Sequence, residues 1–82
     1  MNNWSSGKIP RGVLSHYADK VASSIEDALL TGPFEWRISG STHLEIRGKK
    51  TGKRVSLSTS RAAVNPVYAA KWRSFLRQEL EV

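Results

Sequence analysis

Apolar and polar residues recur with two different periods along this chain of 82 residues. From Ser15 to Thr31 the apolar positions lie three and four residues apart, which predicts an amphipathic helix. Ser15 is expected to cap its start, and Gly32-Pro33 its end, because glycine tolerates a left-handed stop and proline cannot continue the turn. The apolar stripe comprises Tyr17, Ala18, Val21, Ile25, Ala28 and Leu29.

After Pro33 the period falls to two, which is typical of half-buried strands. Three short runs alternate in this way, separated by a turn at Gly40-Ser41 and by a basic loop from Gly48 to Gly52. Short connections between sequential strands predict an antiparallel meander. Its apolar face would carry Phe34, Trp36, Ile38, Leu44, Ile46, Val55 and Leu57, and its opposite face Arg37, His43, Glu45, Arg47 and Arg54.

A second helix is predicted to begin at Asn65-Pro66, where asparagine caps the helix and proline occupies the first position. Its stripe comprises Tyr68, Trp72, Phe75, Leu76 and Leu80. The fold class is therefore α+β, in the order helix, three-stranded antiparallel sheet, helix, with both helices covering the apolar face of the sheet.

Residues 1–13 are expected to be a flexible basic arm, and residues 14–82 a single domain. The arm contains glycine, proline, serine, Lys8 and Arg11, a composition that buries too little apolar area to offset the entropy of ordering. Trp4 and Ile9 qualify this prediction. The tryptophan could dock onto the domain, stack on a base or remain disordered.

The charge balance favours a polyanionic partner. Thirteen lysines and arginines face seven acids, a formal charge of +6, and neutralising phosphates releases counterions whatever the sequence bound. The chain has no cysteine, which excludes disulfides and thiolate metal sites. Two separated histidines do not form a zinc site, and no cofactor is expected. With no apolar stretch of membrane-spanning length and no hydrophobic signal block, the expected location is cytoplasmic.

His43 is the candidate catalytic residue, because an imidazole on the polar face could move a proton near neutral pH. The densest cationic cluster is the loop around Lys49-Lys50-Thr51-Gly52-Lys53-Arg54, although such a loop also keeps a turn soluble and an edge strand from pairing. The residues expected to contact nucleic acid are Arg37, Arg47, Lys49, Lys50, Lys53, Arg54, Lys71 and Arg73.

Three segments resemble the small HicA toxins of bacterial toxin-antitoxin systems. They are Ser39-Gly40-Ser41-Thr42-His43-Leu44-Glu45-Ile46-Arg47, Gly52-Lys53-Arg54-Val55, and Lys71-Trp72-Arg73-Ser74-Phe75-Leu76-Arg77-Gln78. The resemblance covers roughly residues 15–80. It implies a fold similar to a double-stranded RNA-binding domain, cleavage of messenger RNA with His43 at the reacting phosphate, and a HicB-like antitoxin as partner. Arg47, Lys53 and Arg54 would then stabilise negative charge on the phosphate.

Three functions remain open at this point. The chain could be a ribonuclease toxin that acts through His43. It could instead bind RNA or DNA without cleaving it, through the sheet face, the basic loop and the arm. In the third alternative, a protein partner occupies the same basic surface.

Overall fold

The order of helices and strands predicted above is confirmed by a computed structural model of the chain, which describes residues 4–40 and 42–80. A helix α1 (Asp19–Thr31) precedes strands β1 (Phe34–Ser39), β2 (His43–Gly48) and β3 (Arg54–Ser58), and a helix α2 (Pro66–Leu80) follows them. Single 3-10 turns, Arg11–Leu14 and Arg61–Val64, precede the two helices. Ser41 of the predicted turn, and the side chain of Leu80, lie outside the described part.

The three strands form one antiparallel sheet in the order β1-β2-β3. The register places Trp36 opposite Ile46 and Ile38 opposite Leu44 between β1 and β2. Between β2 and β3, Leu44 lies opposite Leu57. Because side chains alternate along a strand, this register collects the apolar residues on one face and the polar residues on the other, as the sequence predicts.

Both helices bury their apolar stripes against the same face of the sheet. Ile25 and Leu29 of α1, and Trp72 and Phe75 of α2, belong to one buried cluster with the inward side chains of the strands. The indole N–H of Trp72 donates to Ser24 Oγ at 3.0 Å, which joins the two helices. Ile38 alone among the predicted inward strand residues remains largely exposed, at 41%.

Helix α1 begins three residues later than predicted. Its N-cap is Ala18, and Ser15 instead ends the preceding 3-10 turn. The reason is Tyr17, which is buried and donates its hydroxyl proton to the Ser58 carbonyl oxygen at 2.6 Å. Burial, with a smaller contribution from Tyr68, raises the pKa of Tyr17 to about 12, so its hydroxyl remains a hydrogen-bond donor at neutral pH.

The end of α1 agrees with the prediction in position but not in backbone conformation. Gly32 has a φ of −93°, so it is extended and not left-handed. Glycine is nevertheless required, because a Cβ there would lie 2.6 Å from the Ala28 carbonyl oxygen and 2.8 Å from the Phe34 ring. At the start of α2 the predicted cap is present, since Asn65 Oδ1 accepts the Val67 N–H at 3.0 Å.

Residues 4–13, which belong to the expected flexible arm, contact the domain in the structure, and residues 1–3 lie outside the described part. Ser5 pairs with Trp36 in an antiparallel bridge, with N···O distances of 2.7 and 2.9 Å. The Trp36 indole N–H donates to the Gly7 carbonyl at 3.2 Å, and Ile9 is fully buried. The prediction of flexibility used the average composition of the segment, which does not register a single buried side chain. Burial of Ile9 helps to offset the entropy lost when the segment becomes ordered.

Within residues 4–40 and 42–80, no helix has the length and apolar character that crossing a bilayer requires.

Substituting Ile9 by alanine tests whether the amino-terminal segment is part of the core. Because Ile9 is fully buried, Ile9→Ala should lower the free energy of unfolding by about 2–4 kcal/mol. The matched control is Leu30→Ala, since Leu30 is 60% exposed and its truncation should cost less than about 0.5 kcal/mol. Urea unfolding measures both. Equal costs for the two variants would show that the segment does not contribute to the core.

Candidate nucleic-acid interface

The polar face of the sheet is a grid of three rows, defined by the strand register. One row contains Glu35, Arg47 and Arg54, the next Arg37, Glu45 and Ser56, and the last Ser39, His43 and Ser58. Directly opposed side chains of an antiparallel pair lie close enough to form ion pairs and hydrogen bonds. The register therefore decides which charges on this face compensate each other.

Two of the three sheet arginines are neutralised by glutamates of the neighbouring strand. Arg37 Nε donates to Glu45 Oε1 at 2.6 Å, and Arg47 Nε donates to Glu35 Oε2 at 2.7 Å. These four side chains are largely buried, with exposed fractions between 12% and 30%. Arg37 and Arg47, both expected to contact nucleic acid, are thus engaged within the domain.

Trp4 covers the same arginines. Its ring centroid lies 4.5 Å from the Arg37 guanidinium carbon, 4.3 Å from that of Arg47 and 5.7 Å from that of Arg54. Guanidinium groups at such distances from an indole face are attracted by the ring quadrupole. Of the three alternatives for Trp4, the structure shows docking onto the domain, and this docking further shields the centre of the sheet face.

His43 is exposed at the first position of β2, and its neighbours are hydroxyl groups. Ser39 and Ser58 lie opposite it, and Thr42 Oγ1 is 3.2 Å from its Nδ1. Arg47 lies four residues further along the same strand, about 13 Å away at roughly 3.3 Å per residue. Arg54 lies opposite Arg47.

Arg47, Lys53 and Arg54, the cations that the resemblance implies for the reacting phosphate, therefore start from the other end of the polar face. Lys53 directly precedes Arg54, at the Arg47 end of the sheet. His43 and Arg47 point to the same face because they are an even number of residues apart. The rise of the strand over those four residues keeps their Cα atoms apart. The sequence motif places the four residues on neighbouring segments, but the antiparallel register places them at opposite ends of the polar face.

The β2–β3 loop presents its cations to solvent beside the end of α2. Lys49, Lys50 and Lys53 are all exposed, and Gly52 adopts a φ of +73°, which favours glycine in the turn. The Thr51 hydroxyl donates to Glu79 Oε1 at 2.6 Å and ties the loop to the helix. The loop lysines and the carboxyl-terminal part of α2 thus share one side of the domain.

Lys71 joins this surface, whereas Arg73 does not. Lys71 and Arg54 line the same groove between β3 and α2. Arg73 lines a different groove, with Lys20 of α1. The predicted contact residues therefore divide into an ion-paired set on the sheet face (Arg37 and Arg47), an isolated Arg73, and a set we call the hairpin surface, which consists of Lys49, Lys50, Lys53, Arg54 and Lys71.

The hairpin surface belongs to an acid-free stretch of sequence. No aspartate or glutamate occurs between Glu45 and Glu79. Nine of the thirteen cations lie in that interval, namely Arg47, Lys49, Lys50, Lys53, Arg54, Arg61, Lys71, Arg73 and Arg77. Arg61 and Arg77, which were not among the expected contact residues, are exposed as well. The feature of the sequence that draws attention to these two arginines is the absence of acids between Glu45 and Glu79, rather than any motif.

Among the described residues, the four ion pairs use no cation that follows Arg47 in the chain. Arg11 contacts Asp19 and Glu26, and the other two pairs are those of the sheet face. The positive charge that remains uncompensated therefore concentrates on the hairpin surface and α2. This distribution is typical of a site for a phosphate backbone.

Comparisons with protein-family models, curated proteins and solved structures find no match for this chain. The resemblance to HicA toxins therefore depends on the three sequence segments quoted above. In the described residues, no group of three or more histidine, aspartate or glutamate side chains could hold a metal ion.

The Arg47–Glu35 pair predicts that two adjacent arginines differ in their contribution to stability. Arg47→Gln would leave Glu35, whose side chain is 12% exposed, without its partner, and should lower the free energy of unfolding by about 1–3 kcal/mol. Arg54→Gln, directly opposite in β3, removes an exposed arginine that has no ion pair within the described part of the chain and should cost less than about 0.5 kcal/mol. Chemical denaturation of both variants is the measurement. Equal losses in the free energy of unfolding for the two variants would contradict the conclusion that Arg47 stabilises the fold through Glu35.

Proposed function

We propose that the chain is an RNA-binding domain that holds the phosphate backbone with the hairpin surface. The observation that carries this proposal is the segregation of charge: the acids of the sheet neutralise Arg37 and Arg47, whereas Lys49, Lys50, Lys53, Arg54 and Lys71 have no acidic partner among the described residues. Each cation that approaches a phosphate releases a condensed counterion, so a cluster of unpaired cations favours a nucleic acid.

The arrangement suits a duplex better than single-stranded bases. The described aromatic side chains are engaged in the domain: Phe34, Trp72 and Phe75 pack on one another in the core, and Trp4 lies on the arginines. The half-buried Tyr68 ring beside the hairpin surface carries Lys71 Nζ 5.6 Å from its centroid, so its face is engaged by a cation rather than open to an unstacked base. Recognition through phosphates and shape is how double-stranded RNA-binding domains act, and we extend the proposal to a fold of that kind.

A pair of charge-matched variants tests the site. Lys49→Gln with Lys50→Gln, and Lys8→Gln with Lys20→Gln, each lower the formal charge from +6 by two. The first variant should weaken binding of a 20-base-pair RNA duplex about tenfold, and should reduce the slope of log affinity against log salt by about two. The second should weaken it less than about threefold. Fluorescence anisotropy at several salt concentrations provides both quantities.

Equal losses for the two double variants would mean that RNA responds only to net charge, and would contradict a site on the hairpin surface. An affinity that does not change with salt would contradict phosphate binding altogether. Both variants alter exposed lysines, so neither result depends on a change in the core.

A second candidate function is cleavage of messenger RNA by a HicA-like toxin. The observation that favours it is the exposure of His43 on the polar face at the start of β2, where its imidazole could reach a ribose 2′-hydroxyl and exchange a proton near neutral pH. In this proposal the hairpin surface holds the RNA, His43 acts at the reacting phosphate, and a HicB-like antitoxin in the cytoplasm restrains the activity.

Expression of the wild type and of His43→Ala in a bacterium tests cleavage. A toxin should arrest growth and degrade messenger RNA, and His43→Ala should abolish both effects while RNA binding in vitro changes less than about threefold. Substitution of exposed His16 by alanine is the matched control and should remain toxic. Equal growth and intact messenger RNA for all three proteins would exclude the ribonuclease and leave the binding function.

A further inference from the structure

The two outer strands of the sheet differ in how their free edges are covered. The outer edge of β1 pairs with Ser5 through Trp36. The outer edge of β3 has no main-chain partner among residues 4–40 and 42–80, since β3 pairs only with β2. An uncovered edge offers N–H and C=O groups to any extended chain that approaches it.

The hydrogen bonds at the two ends of β3 identify which residues point outward. The Lys53 carbonyl accepts the Gly48 N–H at 2.9 Å, and the Thr59 N–H donates to the Thr42 carbonyl at 2.8 Å. Main-chain groups alternate in direction along a strand, so the odd-numbered residues bond to β2. The N–H and C=O groups of Arg54, Ser56 and Ser58 then face away from the sheet.

Tyr17 covers the Ser58 end of this edge, whereas the end toward Arg54 remains uncovered by the described residues. Its hydroxyl occupies the Ser58 carbonyl oxygen at 2.6 Å. For Ser56 the described residues include no main-chain or side-chain group that bonds its outward N–H or C=O. The open part of the edge is therefore centred on Ser56 and extends toward Arg54.

A groove runs beside this open edge, between β3 and α2. It has a volume of about 350 Å³ and contains an apolar strip formed by Val55 and Phe75. Exposed polar side chains complete it, with Arg54 and Ser56 on the strand and Lys71, Ser74 and Gln78 on the helix. Arg54 and Lys71 give the groove positive charge, since neither forms an ion pair with any described residue.

We propose that this groove binds an extended acidic segment of a partner protein, which adds to the sheet as a fourth strand next to β3. A peptide strand supplies a donor and an acceptor, which matches the outward N–H and C=O of Ser56. A phosphate backbone would leave the Ser56 carbonyl facing another acceptor. A second copy of this chain would bring up an edge and a groove of the same positive charge, and like charges disfavour that contact.

The geometry also specifies the side chains of the ligand. Alternate residues of an added strand project to opposite faces of the sheet. Residues on one face would meet Val55, Phe75 and Lys71, and residues on the other would meet Arg54, whose side chain lies on the polar face. The preferred segment therefore alternates apolar and acidic residues over about five to seven positions.

The probe for this proposal is a fluorescent peptide with blocked termini and the sequence Glu-Val-Glu-Val-Glu-Val-Glu. Its control has the same composition in blocks, Val-Val-Val-Glu-Glu-Glu-Glu. The wild-type chain should bind the alternating peptide at least fivefold more tightly. Equal affinity for the two would show attraction by charge alone and would overturn the proposal.

Two substitutions at one position isolate the main-chain contact. Ser56→Pro removes the outward N–H but no bond to β2, and proline is tolerated at such an edge position. Binding of the alternating peptide should fall at least tenfold in Ser56→Pro and change less than twofold in Ser56→Ala, with circular dichroism confirming an intact fold. A folded Ser56→Pro protein that binds as well as the wild type would overturn the proposal.

Amide chemical shifts provide a result that does not require the proline variant to fold. Peptide added to the ¹⁵N-labelled wild-type chain should shift the signals of Arg54, Ser56 and Lys71, and Lys71→Glu should weaken binding at least fivefold. Shifts confined to Lys49, Lys50 and Lys53 would place the peptide on the loop and overturn the proposal. None of these measurements depends on RNA binding or on cleavage.

Discussion

The register between β2 and β3 is the constraint from which the other properties follow. Pairing Leu44 with Leu57 and Ile46 with Val55 turns these side chains toward the helices, where most of them are fully buried. The same pairing places His43, Glu45 and Arg47 on the opposite face, and turns the main-chain groups of Ser56 outward. A shift by one residue would exchange the two faces and bury charged groups without partners.

The cations of the domain are therefore of two kinds, those paired with a glutamate across the strands and those without such a pair among the described residues. Arg37 and Arg47 lie opposite glutamates and beneath the Trp4 ring, so they stabilise the sheet and the docked amino-terminal segment. Binding a polyanion with them would require breaking ion pairs that are partly buried, which costs free energy. The lysines of the β2–β3 loop carry no such cost, and phosphates can approach them from solvent.

Periodicity predicted the element order and both faces of the sheet, because alternation of side chains is a local property of extended backbone. It did not predict the docking of residues 4–13, since that depends on one buried side chain, Ile9, and on a bridge to Trp36 that is distant in sequence. The late start of α1 has a similar cause, because Tyr17 bonds to Ser58, 41 residues away. Cross-strand ion pairs depend on the register, so residue type alone did not predict that Arg37 and Arg47 pair with glutamates.

Nuclear magnetic resonance of the ¹⁵N-labelled chain, titrated with duplex RNA at low salt, tests the central claim most directly. The account predicts that the amide signals of Lys49, Lys50, Lys53 and Arg54 shift progressively with RNA, whereas those of Glu35, Arg37 and Glu45 remain in place. Shifts centred on Arg37 and Glu45, with the loop signals unchanged, would contradict it.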